Sequence, residues 1–205
     1  MSRLKAAMSD LWRGSVLFSW GCVATAVLRL MRASWHAREE PLDWAALLRW
    51  SLLVAPLAGV AAIIVGLAYP LFDRWLNSQP ASGRDWASVT RCLALFVGIN
   101  HANSRFHFAT DAELAWTLAL LSLALWWTFD RTTCGFVIAS LAAAVAHVVA
   151  YYLVLRLVFS HSESSLELTR LKAWFPFVAF SAGITIGSVG RQLAAPRSGP
   201  KLHCD

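Results

Sequence analysis

The chain has 205 residues, of which 58% are hydrophobic and 15% charged, and its mean hydropathy is +0.53. Such a composition disfavours a large soluble helical bundle and indicates a protein that lies in a lipid bilayer. The formal net charge is +6, but the basic residues are scattered among predicted helix ends, without a basic stripe or a recognition motif. We therefore interpret them as anchors to lipid headgroups and exclude nucleic acid as a partner.

The clearest membrane signal is a pair of windows without any charged side chain, Ser51–Phe72 and Thr132–Leu155. At about 1.5 Å per residue, a helix over either window crosses a hydrocarbon layer of roughly 30 Å. Shorter uncharged windows bring the number of predicted spans to six; they are Gly14–Leu28, Cys92–Ser104, Leu114–Phe129 and Trp174–Gly190. Their short lengths suit a thin bilayer such as that of the endoplasmic reticulum.

The first window also fits a cleaved signal peptide, because Lys5 and Arg13 precede its apolar stretch. Arg29 and Arg32 follow that stretch at once, and the later spans need a partner for their apolar faces, so we favour a retained helix. The chain is therefore predicted to be an all-α integral membrane protein, a six-transmembrane-helix bundle with both termini on one side. The Lys and Arg bias between the two sides is too small to decide which side that is.

The predicted organisation is a short amino-terminal segment (1–13), a transmembrane domain (14–193) and a flexible tail (194–205). The four cysteines stand singly, and no pair has the spacing of metal ligands. We therefore expect neither a metal nor a cofactor.

Polar residues interrupt the third predicted span. Asn100 and His101 are interpreted as hydrogen-bonding between helices or lying at the membrane interface. Gly98 permits the close approach of another backbone or of a flat, rigid ligand. Phe96 comes two residues earlier and lies on a different face of the helix.

The fourth predicted span ends abruptly in a carboxylate, Asp130, next to Arg131. Trp127 and Arg131 fit an aromatic belt with an ordinary charged helix end. Asp130 does not, because the helix dipole disfavours a negative charge at a carboxyl end. Asp130 should therefore seek a donor on a neighbouring helix or on another protein.

The last two predicted spans contain fewer chemical candidates. His147 is the one titratable side chain near the middle of a span, and a hydrogen bond between helices is favoured over a proton relay. Gly183 and Gly187 form a GxxxG spacing, which is typical of tight helix packing.

Three short motifs, taken together, resemble one known family. They are FVGINHA at 96–102, LWWTFDR at 125–131 and GRQLA at 190–194. In order and spacing, the chain from about Arg13 to Leu193 resembles the Insig proteins, the sterol-responsive retention factors of the endoplasmic reticulum. The resemblance implies six transmembrane helices with both termini cytosolic.

The resemblance also implies a function. Insig proteins are non-enzymatic adaptors that bind oxysterols such as 25-hydroxycholesterol and hold Scap, with its SREBP cargo, in the endoplasmic reticulum membrane. They thereby repress cholesterol synthesis, and they present HMG-CoA reductase to membrane ubiquitin ligases. The alternative class is a small polytopic transporter or a lipid-modifying membrane protein.

By resemblance, the sterol lies against the first, third and fourth spans, and Phe96 and Trp126 match the family's sterol contacts. Asp130 matches the acidic residue required for holding Scap. We expect it to pair with a donor on Scap or to fix the cytosolic end of the fourth helix. Glu113 stands close to the proposed groove where a glutamine is usual, so its carboxyl would have to be protonated or solvated there.

Overall fold

The computed structural model of the protein describes residues 2–36, 44–76, 85–105, 110–158 and 165–195. These residues form six α-helices and no strand. The helices are α1 (Ser2–His36), α2 (Trp44–Leu76), α3 (Trp86–Arg105), α4 (Asp111–Phe129), α5 (Thr133–Val158) and α6 (Ser165–Ala194). Each predicted span falls, in order, within one of these helices, apart from Thr132, which precedes α5. The predicted amino-terminal segment belongs to α1 from Ser2 onwards, and tail residues 196–205 lie outside the described residues.

Four of the helices are long and apolar enough to cross a membrane. The spans are Met8–Leu28 in α1, Val54–Leu76 in α2, Ala112–Phe129 in α4 and Thr133–Leu153 in α5. The described residues are therefore all-helical, apart from short connections, and the chain is a multi-pass membrane protein. The described parts of α3 and α6 carry more polar side chains, several of which are buried inside the protein, such as Asn100 and Thr185.

Helix α6 lies at the centre of the bundle and contacts each of the other five helices. Every residue from Trp174 to Ala195 is buried or half-buried. Its hydroxyl groups bond within the helix: Ser181 donates to the carbonyl of Val178 (2.9 Å), and Thr185 to that of Ser181 (2.8 Å). Because these groups are satisfied locally, α6 can be polar in sequence and still be buried.

The glycines of α6 allow this close packing, as the GxxxG spacing predicts. A Cβ added at Gly183 would lie 3.3 Å from Ala139 of α5. Gly187 lies against the ring of Tyr69, and Gly190 lies against the backbone of Gly66 in α2. The glycine face therefore packs against two helices, and the predicted packing role is confirmed.

The last turns of α2 and α6 meet the end of α4 and the beginning of α5 at one end of the bundle. Asp73 belongs to the last turn of α2, Asp130 directly follows α4, and Arg191 belongs to the last turn of α6. This convergence positions the candidate site.

Candidate functional site

A single guanidinium, that of Arg191, binds two carboxylates from different parts of the chain. Nε and Nη2 donate to the two oxygens of Asp73 at 2.6 and 2.9 Å, and Nη1 donates to Oδ1 of Asp130 at 2.6 Å. Asp73, Asp130 and Arg191 are 7%, 0% and 6% exposed. We call these three residues the buried ion cluster. The two-pronged pairing with Asp73 is the strong form of a charge-assisted hydrogen bond.

Tyr69 covers the guanidinium and connects α2 to α5. Its ring centroid lies 4.6 Å from Cζ of Arg191, in cation–π geometry. Its hydroxyl donates to the carbonyl of Gly135 at 3.0 Å. The tyrosine side chain is fully buried, so both its ring and its hydroxyl have partners inside the protein.

Asp130, Arg131 and Thr132 connect α4 to α5, and we call them the α4–α5 corner. The N–H of Asp130 donates to the carbonyl of Trp126 at 2.9 Å and ends α4. The hydroxyl of Thr132 donates to Oδ1 of Asp130 at 2.6 Å and accepts the N–H of Gly135 at 3.0 Å, which caps α5. The carboxylate at the unfavourable end of α4 is therefore also close to the favourable end of α5.

The second oxygen of Asp130, Oδ2, explains why residue 135 is glycine. This oxygen occupies the space where a side chain at position 135 would begin. Oδ2 is buried and has no hydrogen-bond partner among the described residues. A carboxylate can therefore fit here because Gly135 has no Cβ, and every larger residue would displace it.

The predicted donor for Asp130 is thus found on a neighbouring helix of the same chain. Of the two expected roles of Asp130, fixing the end of the fourth helix is compatible with this geometry, because the ion pair with Arg191 joins that end to α6. Asp73, Arg191, Tyr69 and Gly135 received no role from the sequence patterns. The sequence does show a charged side chain directly after three of the predicted spans, namely Asp73, Asp130 and Arg191. It does not show which of these charges pair with one another.

Phe96 and Trp126, the two predicted sterol contacts, belong to the same apolar cluster. Phe96 is 4% exposed, and Trp126 is half-buried. The Trp126 ring packs edge-on against Phe136 of α5, with 5.1 Å between centroids. Its indole N–H donates to the carbonyl of Thr132 at 3.1 Å. The apolar cluster is therefore bonded directly to the α4–α5 corner.

Glu113 lies away from this group. It is an exposed residue in the first turn of α4, where its N–H donates to the hydroxyl of Thr110 at 3.2 Å. At about 1.5 Å per residue, the helix from Glu113 to Trp126 spans about 20 Å. The structure therefore places Phe96 and Trp126 in one apolar cluster and joins Trp126 to the α4–α5 corner that contains Asp130. Glu113 lies at the opposite end of α4.

Three other residues singled out in the sequence, Asn100, His147 and Gly98, lie outside the buried ion cluster and the α4–α5 corner. Asn100 donates to the carbonyl of Phe96 in its own helix at 2.8 Å, rather than to another helix. Nδ1 of His147 is buried without a partner among the described residues, so the predicted hydrogen bond between helices is not formed by that atom. The His147 ring lies 6.2 Å from that of Phe175. Gly98 is exposed, with open space beside it.

Fold and site together define a class: a multi-pass helical membrane protein whose helix ends are joined by buried charges. In the described residues, no group of three or more His, Cys, Asp or Glu side chains could hold a metal ion.

Comparison with known proteins identifies the family of the chain. The family model described as insulin-induced protein (INSIG) matches residues 12–194. The insulin-induced gene 1 protein of Danio rerio is 42% identical over 196 residues, which cover 94% of this chain and 76% of that protein. The corresponding proteins of Cricetulus griseus and Homo sapiens are each 41% identical, over 89% and 90% of this chain and 70% and 66% of their own lengths. The chain belongs to the Insig family.

Proposed function

We propose that this protein is a non-enzymatic, oxysterol-binding adaptor of the endoplasmic reticulum membrane, with six spans and both termini cytosolic. In this role it retains Scap with its SREBP cargo and so represses cholesterol synthesis. It also presents HMG-CoA reductase to membrane ubiquitin ligases. Membership of the Insig family supports these roles.

One observation carries the proposal: the indole of Trp126 bridges the apolar cluster and the α4–α5 corner through its hydrogen bond to Thr132. The candidate sterol wall and the candidate partner site are thus two sides of one packed unit. A ligand that fixes the Trp126 ring also fixes the backbone beside Asp130. Sterol binding and partner binding would therefore be coupled at this end of α4.

The proposed sterol surface is the outward face of α3 together with α1 and α4. A flat hydrocarbon ligand needs an aliphatic and aromatic wall with few polar groups. Leu95 and Gly98 are exposed on α3, and Gly98 leaves room for a rigid ring system. Phe96 is buried behind this face, so we propose that it supports the wall from within.

The mechanism is a linkage among three bodies. If the groove is complete only when a second membrane protein lies against it, the sterol binds the pair more tightly than either protein alone. Thermodynamic reciprocity then requires that the partner raise the affinity for the sterol by the same factor.

The test is to purify the protein together with Scap in detergent, with and without 25-hydroxycholesterol. We expect Scap to be recovered in the presence of the sterol and to be lost in its absence. Cholesterol, which lacks the 25-hydroxyl group, controls for a general lipid effect. Equal recovery with and without 25-hydroxycholesterol would contradict the proposal.

The same preparation tests the alternative class. A transporter reconstituted into vesicles would move a solute, and His147 is a titratable group in the inner part of the α5 span. Loss of a measurable flux in His147→Leu would favour the transporter.

A further inference from the structure

The carboxylate of Asp130 is out of reach of any second protein. Its side chain is 0% exposed. Oδ1 accepts hydrogen bonds from Arg191 and Thr132, and Oδ2 lies against Gly135. A partner could touch this carboxylate only after the α4–α5 corner had opened and the buried ion cluster had lost a member.

The exposed cation of the corner is the next residue, Arg131. It has a φ of 55°, and among the described residues it is the one non-glycine residue with a positive φ. This left-handed conformation is disfavoured for residues with a side chain, and it persists where the surroundings hold it. Asp130 and Thr132 on either side are both buried, so the corner holds Arg131 outward.

The guanidinium of Arg131 is exposed but ordered by an aromatic ring. Its Cζ lies 4.5 Å from the ring centroid of Trp127, which is itself 57% exposed. A planar guanidinium stacked on an aromatic face keeps its in-plane donors free for a carboxylate, which it matches with two parallel hydrogen bonds.

We propose that Asp130 is a positioning residue, and that Asp73, Arg191 and Gly135 act with it to present Arg131 to an acidic side chain of the partner membrane protein. The proposal rests on the proposed function, because it requires that a membrane protein be retained. It goes beyond that function because it assigns a positioning role to four residues, assigns the contact with the partner to Arg131, and names the chemical group that Arg131 binds. The proposed partner group is a carboxylate because it compensates the charge of Arg131 and accepts two parallel hydrogen bonds from the planar guanidinium.

The first test separates positioning from contact at Asp130. In Asp130→Asn, the amide oxygen can still accept from Arg191 and Thr132, and the amide nitrogen is small enough to face Gly135. We expect sterol-dependent recovery of Scap to stay within about threefold of the parent protein, and to fall by at least about tenfold in Asp130→Ala, where tenfold corresponds to about 1.4 kcal/mol. Equal losses in both variants would overturn the proposal, because a contacting carboxylate needs its charge.

The second test leaves Asp130 unchanged and fills the space beside Gly135 that its Oδ2 atom occupies. Gly135→Ala places a methyl group where Oδ2 lies, so we expect the same loss as in Asp130→Ala. Gly14→Ala is the matched control, since nothing lies within 4 Å of the added methyl group. Variants are compared as monodisperse peaks in size-exclusion chromatography. Parental recovery in Gly135→Ala would overturn the positioning role.

The third test concerns Arg131. In Arg131→Gln we expect recovery to fall by at least about tenfold, and in Arg131→Lys by less, because a lysine keeps the charge without the planar fork. The partner's contacting acid is identified by changing its acidic residues to lysine one at a time, and Arg131→Glu should restore the recovery of the lysine variant that has lost it. Unchanged recovery in Arg131→Gln would mean that the guanidinium meets lipid phosphates instead, and it would overturn the contact.

A readout without the partner separates this inference from the proposed function. Cys134 is 5% exposed and adjoins Gly135, so an open corner should expose its thiol to N-ethylmaleimide. We expect faster labelling of the Cys134 peptide, measured by mass spectrometry, in Asp130→Ala and Gly135→Ala than in Gly14→Ala. If the parent fails to retain Scap while these rates differ, the proposed function fails and the positioning of the corner stands. Equal labelling rates would overturn the positioning itself.

Discussion

Arg191 and Asp130 lie 61 positions apart in the chain, yet Nη1 of the arginine and Oδ1 of the aspartate are 2.6 Å apart inside the bundle. Asp73 pairs with the same guanidinium, so two buried negative charges depend on one positive charge. Removing the arginine would therefore leave two buried carboxylates without a counter-charge in a medium of low dielectric constant.

Arg191→Gln should therefore be strongly destabilising. Breaking a buried ion pair by removing one partner costs about 3–5 kcal/mol, because the remaining charge stays buried. We expect a clear fall in the thermal midpoint of the detergent-solubilised protein, read by size-exclusion chromatography after heating. Asp10→Asn is the control, since it removes the exposed pair with Arg13, and such pairs contribute about 0–1 kcal/mol. Similar midpoints in the two variants would argue against the buried ion cluster.

Tyr69→Phe should have a smaller effect than Tyr69→Leu. The phenylalanine keeps an aromatic face over Arg191 and loses the hydrogen bond to Gly135, which contributes about 1 kcal/mol. The leucine loses the aromatic face as well. Thermal midpoints of the two variants, compared with the parent, measure the two contributions, and equal midpoints for Phe and Leu would show that the ring does not act on the guanidinium.

The effect of a glycine-to-alanine substitution on the yield of folded protein should depend on how closely the glycine packs against a neighbouring helix. Gly190→Ala places a methyl group into the backbone of Gly66, where neither helix can yield without separating. Gly98→Ala adds a methyl group in open space and removes a flexible residue from a helix, a change that favours the helix by up to about 1 kcal/mol. The yield of folded protein in detergent should fall for the first variant and not for the second. A well-folded Gly190→Ala protein would contradict the close contact between α2 and α6.

Thr132→Val should remove two hydrogen bonds of the α4–α5 corner, the one to Asp130 and the one from Gly135. Valine has nearly the shape of threonine but cannot cap α5 or donate to Asp130, and losing a helix cap costs about 1 kcal/mol. Thr132→Ser keeps the hydroxyl and should stay close to the parent in thermal midpoint. If serine and valine behave alike, the hydroxyl contributes nothing at this position.

Glu113→Gln tests the remaining predicted sterol residue. Because Glu113 is exposed and lies about 20 Å along α4 from Trp126, we expect the variant and the parent to bind 25-hydroxycholesterol with the same pH profile. The measurement is equilibrium binding of labelled sterol over a range of pH. A profile that changes only in the parent would place the carboxyl at the sterol after all.

The positions of the helices could be read from the sequence because they depend on local properties. An uncharged window such as Ser51–Phe72 requires a helix wherever it lies in a bilayer, since each backbone group must find its partner within the segment. The GxxxG spacing in α6 likewise predicted packing at Gly183 and Gly187. The hydroxyl-rich α6 could not be recognised as the central helix, because its burial depends on five neighbours that a local pattern does not contain.

The candidate site was predictable in part. Helix-dipole electrostatics indicated that Asp130 needed a donor, and the family resemblance singled out Phe96 and Trp126. Neither indicated that Arg191 is the donor, since Asp130 is followed in the chain by another arginine, Arg131, which lies exposed on Trp127. Choosing between the two arginines required knowing which helix ends meet.

The sequence alone determined that this chain forms apolar helices in a membrane and belongs with the Insig proteins, because transfer free energy and short motifs are properties of neighbouring residues. The tertiary structure alone decided that Asp130 turns inward to Arg191, that Asp73 shares the same guanidinium and that Gly135 makes room for a carboxylate. These relationships join residues far apart in the chain, and their free energies depend on distance and burial, which exist only after the helices have packed.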